Sequence, residues 1–438
     1  MHIVLISLHG LIRGHDLELG RDADTGGQTR YVVELARALG DHPEVDRVTL
    51  LTRRMEDPRA GTDYAEMVES LGPKAEIVRL NCGGGEYRPK EEFWDFLDEF
   101  VMTAVHWLRY EADPDDVVLH AHYADAGEVA RLIRQEGVNV PVLWSAHSLG
   151  RVKRSRLLAS GMQPEVAESR YRLNRRILAE ETALETADRV IASSLAEIDD
   201  LARYHLFQPD RAVVNRPGVD TTRFTPVGSS FSAGISISQF IDNEDCRPSI
   251  LAIARPDEKK NLSTLVATYG ASKQLRDAAS LILLAGNRDD IRTLDSGARS
   301  VWTELLLLID RYDLYGDIAI PKTHTASEIP EYYRFVHRGG GVFVNPALVE
   351  PFGLTLLEAA ASGVPVVATR NGGPREIIAT CRNGILIDPL SPAELERALL
   401  DVLSDRWKEY SQNGIAAVRE HYSWAAHADR YLEIVRGL

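Results

Sequence analysis

Positive charge is scarce in this chain. Fifty lysines and arginines stand against 65 aspartates and glutamates, a formal net charge of −15 at pH 7 over 438 residues. A nucleic acid or an anionic membrane needs a basic face, so neither is expected as a partner. Cysteine is scarcer still: Cys82, Cys246 and Cys381 lie far apart and form no C-x-x-C pair. That removes a zinc or disulfide framework and points to a reducing, cytoplasmic setting. Long apolar runs are missing too. None approaches the roughly 18 residues that a membrane span needs, and residues 1–8 lack the basic flank and length of a signal peptide. The fingerprint G-x-G-x-x-G is also absent, which argues against an NAD-dependent oxidoreductase.

What is present is an alternation. The runs "HIVLIS", "RVTLLT", "VVLHAHY", "VPVLWSAH" and "RVIASS" read as buried strands separated by helix-like periodic segments. A second series follows: "ILAIAR", "LILLAGN", "IAIP", "GGVFVNPAL", "VPVVAT" and "GILID". Between them, residues 215–249 are rich in Gly, Pro, Ser and Asp and break the rhythm. The length asks for two or three domains. The expected class is α/β, with two doubly wound Rossmann-like domains facing a central cleft. The boundaries read as 1–215, a linker at 216–248, and 249–422, with a C-terminal segment 423–438 packing back on the first domain.

Four constellations carry chemistry. In "RDADTGGQTRYVVELARAL" two glycines, Gly26 and Gly27, precede an amphipathic run after a long loop. The glycines either uncover a helix N-terminus for an anion or only make the turn into the helix. Gln28 beside them offers an amide to a sugar hydroxyl. In "NPALVEPFGLTLLEAAASGVPVVATRNGGP" Glu350 precedes a helix start and Glu358 follows eight positions on. Thr355-x-x-Glu358 fits a capping box, which leaves Glu350 unexplained. A carboxylate on each side of a helix N-terminus suits a nucleotide sugar, its hydroxyls on the acids and its diphosphate on the N–H groups.

In "ARPDEKKNL" Arg255 and Lys260 stand five apart after a strand, as solvated charge or as a diphosphate site. In "WSAHSLGRVKRSRLL" a strand delivers His147 and Ser148, followed by Arg151, Lys153, Arg154 and Arg156. Arg170, Arg172, Arg175 and Arg176 follow in "ESRYRLNRRILAEE". So much local positive charge in an acidic chain suits a phosphorylated acceptor better than a solvated helix face. His120 and His122 in "HAHYAD" share one strand face, which reads as an ordinary strand end or a metal pair. Asp289 and Asp290 in "AGNRDD" read as a loop boundary.

At these residues a resemblance enters. "HGLIRG", "GRDADTGGQTRYVVELARAL", "HSLGRVKRSRLL", "ARPDEKKN", "AGNRDD" and "NPALVEPFGLTLLEAAASGVPVVAT" resemble bacterial sucrose-phosphate synthases, retaining GT-B glycosyltransferases of family 4. The resemblance implies UDP-glucose as donor, fructose 6-phosphate as acceptor, and sucrose 6-phosphate and UDP as products. It places the donor on Gly27, Arg255, Lys260, Glu350, Phe352, Gly353, Leu354 and Glu358. It places the acceptor on Gln28, Lys90, Tyr123, Ser148, Lys153 and Arg176. The catalytic group is implied to be His147, Arg255, Lys260 and Glu350, with no metal ligand and no cofactor; Mg2+ is not essential. "NRPG" stands at 215–218 where the family often has Pro-Pro-Gly. The phosphatase domain of some relatives is not expected, so a separate sucrose-phosphate phosphatase is the implied partner. The alternatives are a sucrose synthase-like transferase, which the basic acceptor loop disfavours, and a mannosylfructose-phosphate synthase-like one. A non-catalytic sugar-nucleotide sensor on the same fold is a third.

Overall fold

The computed structural model describes all residues except 19, 20, 22, 23, 160 and 243–246. Cys246 and part of the loop before Gly26 therefore lie outside the described residues. The chain divides into two compact units, residues 1–217 with 427–438, and residues 218–426.

The first unit is built on eight strands: β1 (His2–Ile6), β2 (Arg47–Arg53), β3 (Val68–Ser70), β4 (Ala75–Leu80), β5 (Val117–His122), β6 (Val142–Ser145), β7 (Arg189–Ala192) and β8 (Ala212–Val214). They pair in the order β3-β4-β2-β1-β5-β6-β7-β8. Strands β1 and β5 are central and wholly buried. That is why they read as continuous apolar runs with no alternation: helices cover both faces of a parallel sheet. His2 stands opposite Val117 and Ile6 opposite Ala121. The chain runs outward from β1 to β2 on one side and from β5 to β6 on the other, so the strand order switches between β1 and β5. The loops after these two strands, which lead to Gly27 and Tyr123, leave the sheet at its carboxyl edge.

The second unit repeats the logic with β9 (Ser249–Ile253), β10 (Ser280–Leu284), β11 (Ile318–Ala319), β12 (Val342–Asn345), β13 (Val366–Thr369) and β14 (Gly384–Ile387). Their order is β11-β10-β9-β12-β13-β14, all parallel. The switch lies between β9 and β12, whose carboxyl ends lead to Arg255 and to Glu350. Alternate residues of β9 enter opposite halves of the core. Ile250 and Ala252 pack with Trp302 and Leu305, and Leu251 with Tyr333 and Phe343.

The sheet of the first unit is parallel apart from the short edge strand β3, which pairs antiparallel with β4. One expectation needs correction: the stretch 216–248 is not a linker over its described length. Val219, Phe224, Ala233, Ile237 and Ile241 are buried in the second unit's core beside Tyr332 and Tyr333. Residues Phe231–Ser238 form a helix. Ala233, Ile237 and Ile241 recur every four positions, a helical stripe that the surrounding serines and glycines hide from a compositional reading.

Trp302 is fully buried, donates its indole N–H to the Ala285 carbonyl at 3.2 Å, and stacks under Arg288 with the guanidinium carbon 3.5 Å from its ring centroid. Burial lowers the Arg288 pKa to about 10. Trp302→Ala removes both the packing and the stack. It is expected to destabilise the second unit by about 3–5 kcal/mol, read as a lower denaturation midpoint; a shift within error of zero would show that this core half contributes little.

Candidate functional site

In the first unit the Gly-Gly junction separates the two readings left open by its sequence. The helix Gly27–Gly40 starts after Gly26, whose φ is −142°, with no side-chain cap. Neither glycine has a positive φ, and a Cβ on either would meet nothing within 4 Å. Among the described residues no close packing requires glycine there. The helix begins without a side-chain cap, and its first N–H groups carry no side chain from either glycine. Gly10 differs: its φ is +81° and a Cβ would lie 2.6 Å from the Asp24 carbonyl.

Around this junction the carboxyl ends of β1, β5 and β6 deliver side chains. Gln28 donates from Nε2 to Ser7 Oγ at 3.1 Å and to the His122 carbonyl at 3.5 Å. Lys90 opens the short helix Lys90–Phe93. Its amide donates to Asp24 Oδ2 at 2.8 Å and its ammonium pairs with the same carboxylate. Tyr123 and His147 both adopt left-handed backbone, φ +82° and +55°. Such strain in residues other than glycine persists where the surroundings hold it. His147 Nε2 lies 2.9 Å from His122 Nδ1, and burial lowers the His147 pKa to about 3.

Ser148 is held by Arg176, which donates from Nη2 to its carbonyl at 2.7 Å and to its Oγ at 2.8 Å. Arg176 is itself buried, bonded to Glu180 at 2.8 Å and stacked 4.5 Å from the Tyr123 ring centroid. Lys153 is part-exposed, 3.8 Å above the Tyr171 ring and 3.5 Å from Glu91. Burial lowers its pKa.

The basic run is not a bare positive patch, a correction to its linear reading. Arg151 pairs with Glu181 at 2.7 Å and Arg154 with Glu168 at 3.7 Å. Arg172 and Arg175 both pair with Asp95, at 2.8 and 2.5 Å. Glu168 and Glu181 stand in the basic stretch itself and Asp95 in a distant segment, and the pairings run across 14 to 80 positions, so local sequence could not show which base each acid meets.

The second unit places Arg255 beyond β9, exposed. Among the described residues its side chain has no hydrogen bond or ion pair. Lys260 ends the turn Glu258–Lys260 and donates to Glu350 Oε2 at 2.7 Å, which also accepts from Asn345 Nδ2 at 3.2 Å. The pair ties the β9 loop to the β12 loop, and its ammonium is not free. Glu350 is fixed by its backbone as well: its N–H donates to the Asn371 carbonyl at 3.0 Å, and its own carbonyl accepts from the Gly373 N–H at 3.0 Å.

That ladder demands the second glycine pair, Gly372-Gly373, which the sequence reading passed over. Gly372 has φ +102°, and a Cβ would stand 2.1 Å from the Glu350 carbonyl oxygen; one on Gly373 would stand 2.3 Å from that of Phe352. Gly353, at φ +102°, precedes the helix Leu354–Ala361. The capping-box reading of Glu358 fails here, since Thr355 lies inside the helix and does not precede it. Glu358 is buried near Tyr333, whose hydroxyl donates to the Thr355 carbonyl at 3.1 Å and whose phenol is held well above its usual pKa, chiefly by burial. Phe352 is part-exposed and Leu354 exposed at the helix start. Asp290 is a loop residue: it caps the turn Ile291–Thr293 and pairs with Arg292, which lowers its pKa to about 2.

Among the described residues no three His, Cys, Asp or Glu side chains converge as a metal site. The His120 and His122 rings do share a face, with centroids 3.9 Å apart. Among the described residues no helix is long and apolar enough to cross a membrane.

Comparison with known proteins matches this geometry to a family. Residues 25–223 match the model described as Glycosyltransferase Family 4, and residues 237–421 that of Glycosyl transferases group 1. The chain is 42% identical to a probable sucrose-phosphate synthase 1 of Oryza sativa subsp. indica, covering 100% of this chain and 46% of that protein. It is 41% identical to the sucrose-phosphate synthase of Zea mays, covering 100% and 47%. The chain therefore spans about half the length of the curated relatives it matches. The solved sucrose-phosphate synthase of Thermosynechococcus elongatus superposes with a TM-score of 0.73 at 26% identity, covering 100% of this chain and 98% of that one. With a family model on each half and this similarity along its whole length, the chain belongs to the GT-B glycosyltransferases, among relatives that are sucrose-phosphate synthases.

Proposed function

We propose that the chain is a retaining glucosyltransferase that makes sucrose 6-phosphate and UDP from UDP-glucose and fructose 6-phosphate. The observation that carries this reading is the grouping at the second unit's switch point. Lys260, Glu350 and the open start of the helix Leu354–Ala361 stand where a nucleotide sugar would bind, with Arg255 on the neighbouring loop. Similarity to sucrose-phosphate synthases supports the choice of donor and acceptor.

In this reading the second unit holds the donor. Arg255 and Lys260 face the diphosphate, Glu350 the glucosyl hydroxyls and Glu358 the ribose. The bond from the glucosyl anomeric carbon to the β-phosphate oxygen breaks as the acceptor's hydroxyl oxygen bonds to the same face of that carbon. The hydroxyl proton passes to the leaving phosphate. The chain's contribution is to orient both sugars and to stabilise charge on departing UDP. A helix N-terminus, Arg255 and Lys260, the last shared with Glu350, supply that field, so no metal or cofactor is required in this reading. The first unit holds the acceptor: Gln28 and Ser148 on its hydroxyls, Lys153 and Arg176 toward its 6-phosphate, with Lys90 and Tyr123 beside them. His147 joins this acceptor group as the first unit's catalytic residue. A product bearing phosphate suits a separate sucrose-phosphate phosphatase as the next enzyme, in the cytoplasm.

A matrix of UDP-, ADP- and GDP-sugars against fructose and fructose 6-phosphate tests the assignment directly. Turnover is expected with UDP-glucose and fructose 6-phosphate, and to persist in excess chelator; preference for free fructose or for GDP-mannose would overturn it. Within that assay Arg255→Ala and Lys260→Ala should each lower kcat by about 100-fold, or about 3 kcal/mol, while Glu358→Gln chiefly weakens UDP binding. Near-normal turnover in both basic-residue variants would move the leaving-group site elsewhere.

Lys153→Ala probes the phosphate. Use of fructose 6-phosphate should collapse while the poor use of fructose changes little; equal losses on both would remove the clamp. Arg176→Ala is a different experiment, because it strands the buried Glu180 carboxylate. It should cost about 3–5 kcal/mol of stability, and Glu180→Gln in the same chain should restore part of it. Thermal melts of the single and double variants decide this; additive losses would show that the two residues do not act as a pair.

A further inference from the structure

Four imidazoles and two phenols gather beneath the first unit's candidate site, most of them outside the roles described above. Strand β5 places His120 and His122 on one face, with ring centroids 3.9 Å apart. The end of β6 brings His147, the helix Gly27–Gly40 brings Tyr31, and the helix Trp424–Arg436 brings His427 and Tyr431. The Tyr31 ring stands edge-on to His147 at 5.1 Å, to His427 at 5.7 Å and to His122 at 5.9 Å.

The proton positions follow from groups that can act in only one way. At one end, His427 Nδ1 lies 2.7 Å from the Arg216 carbonyl, which only accepts. That nitrogen carries the proton, and Nε2 is the acceptor for the Tyr31 hydroxyl at 3.1 Å. At the other end, the Ser145 hydroxyl donates its one proton to the Ile191 carbonyl at 2.9 Å, so its contact with His120 Nε2 at 3.0 Å is donated by the imidazole. His120 Nδ1 is then a bare lone pair, and it is buried without a partner among the described residues. The same test applies in the middle. His122 Nε2 is also buried without a partner among the described residues. A proton there would make it a buried, unbonded donor, a rarer and costlier state than a bare ring lone pair. The proton of His122 therefore sits on Nδ1, in the 2.9 Å contact, and His147 Nε2 accepts it.

We propose that His122 fixes His147 as its Nδ1–H tautomer, so that His147 presents a neutral hydrogen-bond donor to the bound sugars and does not act as a base. His147 is part-exposed, and among the described residues its Nδ1 has no hydrogen bond. Burial supports the neutral form of every ring involved: it lowers the pKa of His120 and His122 well below 6.5 and that of His147 to about 3. An Nδ1–H can hold a sugar oxygen in place, but it cannot take the acceptor's proton. His122 is a positioning residue, and Tyr31, locked by His427, holds the other side of the ring. The tautomer stands on the geometry alone; its part in catalysis rests on the glucosyl-transfer reading.

Two measurements test the two parts separately. In the full chain labelled with 15N-histidine, the His122 and His147 ring signals are assigned by their loss in His122→Asn and His147→Asn. Each ring is expected to show a protonated Nδ1 and a bare Nε2. A proton on His147 Nε2, an imidazolium, or exchange between tautomers would overturn the proposal whatever the enzyme's substrates are.

Activity tests the positioning. His122→Phe keeps the ring and removes the donor. It should lower kcat by about tenfold or more, as loss of a partner that orients an imidazole does, with the KM for UDP-glucose changed by less than about twofold. His122→Asn can place an amide N–H where Nδ1 stood and should recover most of that loss. Full activity in His122→Phe, or equal losses in both variants, would overturn the positioning role. If the unsubstituted chain failed to transfer glucose from UDP-glucose, the transfer reading would fall while the NMR result still decided the tautomer.

Discussion

A carboxylate without water must find its hydrogen bonds inside the protein, and Glu180 in the first unit has done so. Its side chain is fully buried. Its oxygens accept from Arg176 Nε at 2.8 Å, from the Gly150 amide at 2.9 and 3.0 Å, and from the Tyr204 hydroxyl. A buried charge of this kind is tolerable only when every lone pair is met. The residues that meet it therefore have little freedom. Gly150 is where the segment after His147 turns into a helix, and a Cβ there would fall 2.9 Å from the Glu180 carboxylate. Arg176 also donates from Nη2 to Ser148 and lies against the Tyr123 ring. One buried acid thus holds the left-handed turns at Tyr123 and His147 near the carboxyl ends of β5 and β6.

The second unit reaches the same end by backbone geometry. Glu350 is fixed by a short parallel bridge to Gly372 and by hydrogen bonds to Asn371 and Gly373. Only glycines admit that approach. Its carboxylate is then met by Lys260 and Asn345, the first from the loop after β9 and the second from the end of β12. In both units the functional side chains sit on loops that leave adjacent central strands at the point where the strand order switches. A doubly wound sheet leaves a crevice there, and helix N-termini open toward it.

The central strands were legible because a strand buried on both faces must be apolar along its length. The runs at β1, β2, β5, β6, β7, β9, β10, β12 and β13 say so in one dimension, and the edge strands β11 and β14 share the apolar pattern, β14 with less burial. Strands β3 and β8 have three residues each, and Glu76 and Arg79 interrupt the run of β4, so these three carried no such signal. The Glu350–Glu358 spacing and the Arg255–Lys260 pair were also visible, since they sit beside strand ends that could be placed from sequence. The glycines at 372 and 373 were in plain view, yet nothing local distinguishes a glycine forced by a close backbone approach from one in an ordinary turn.

Sequence by itself determined the two-unit α/β plan, the loops that carry the chemistry, and the family to which the chain belongs. Each of these is a property of order along the chain: burial period, strand end, motif spacing. Tertiary structure decided what those groups are bonded to. It spent Lys260 on Glu350 and paired Arg151, Arg154, Arg172 and Arg175 with acids 14 to 80 positions away. It folded residues of the apparent linker into a core and set His122 against His147. Charge compensation and proton placement depend on distance and burial in space, and residues that meet across such intervals leave no trace in their local sequence.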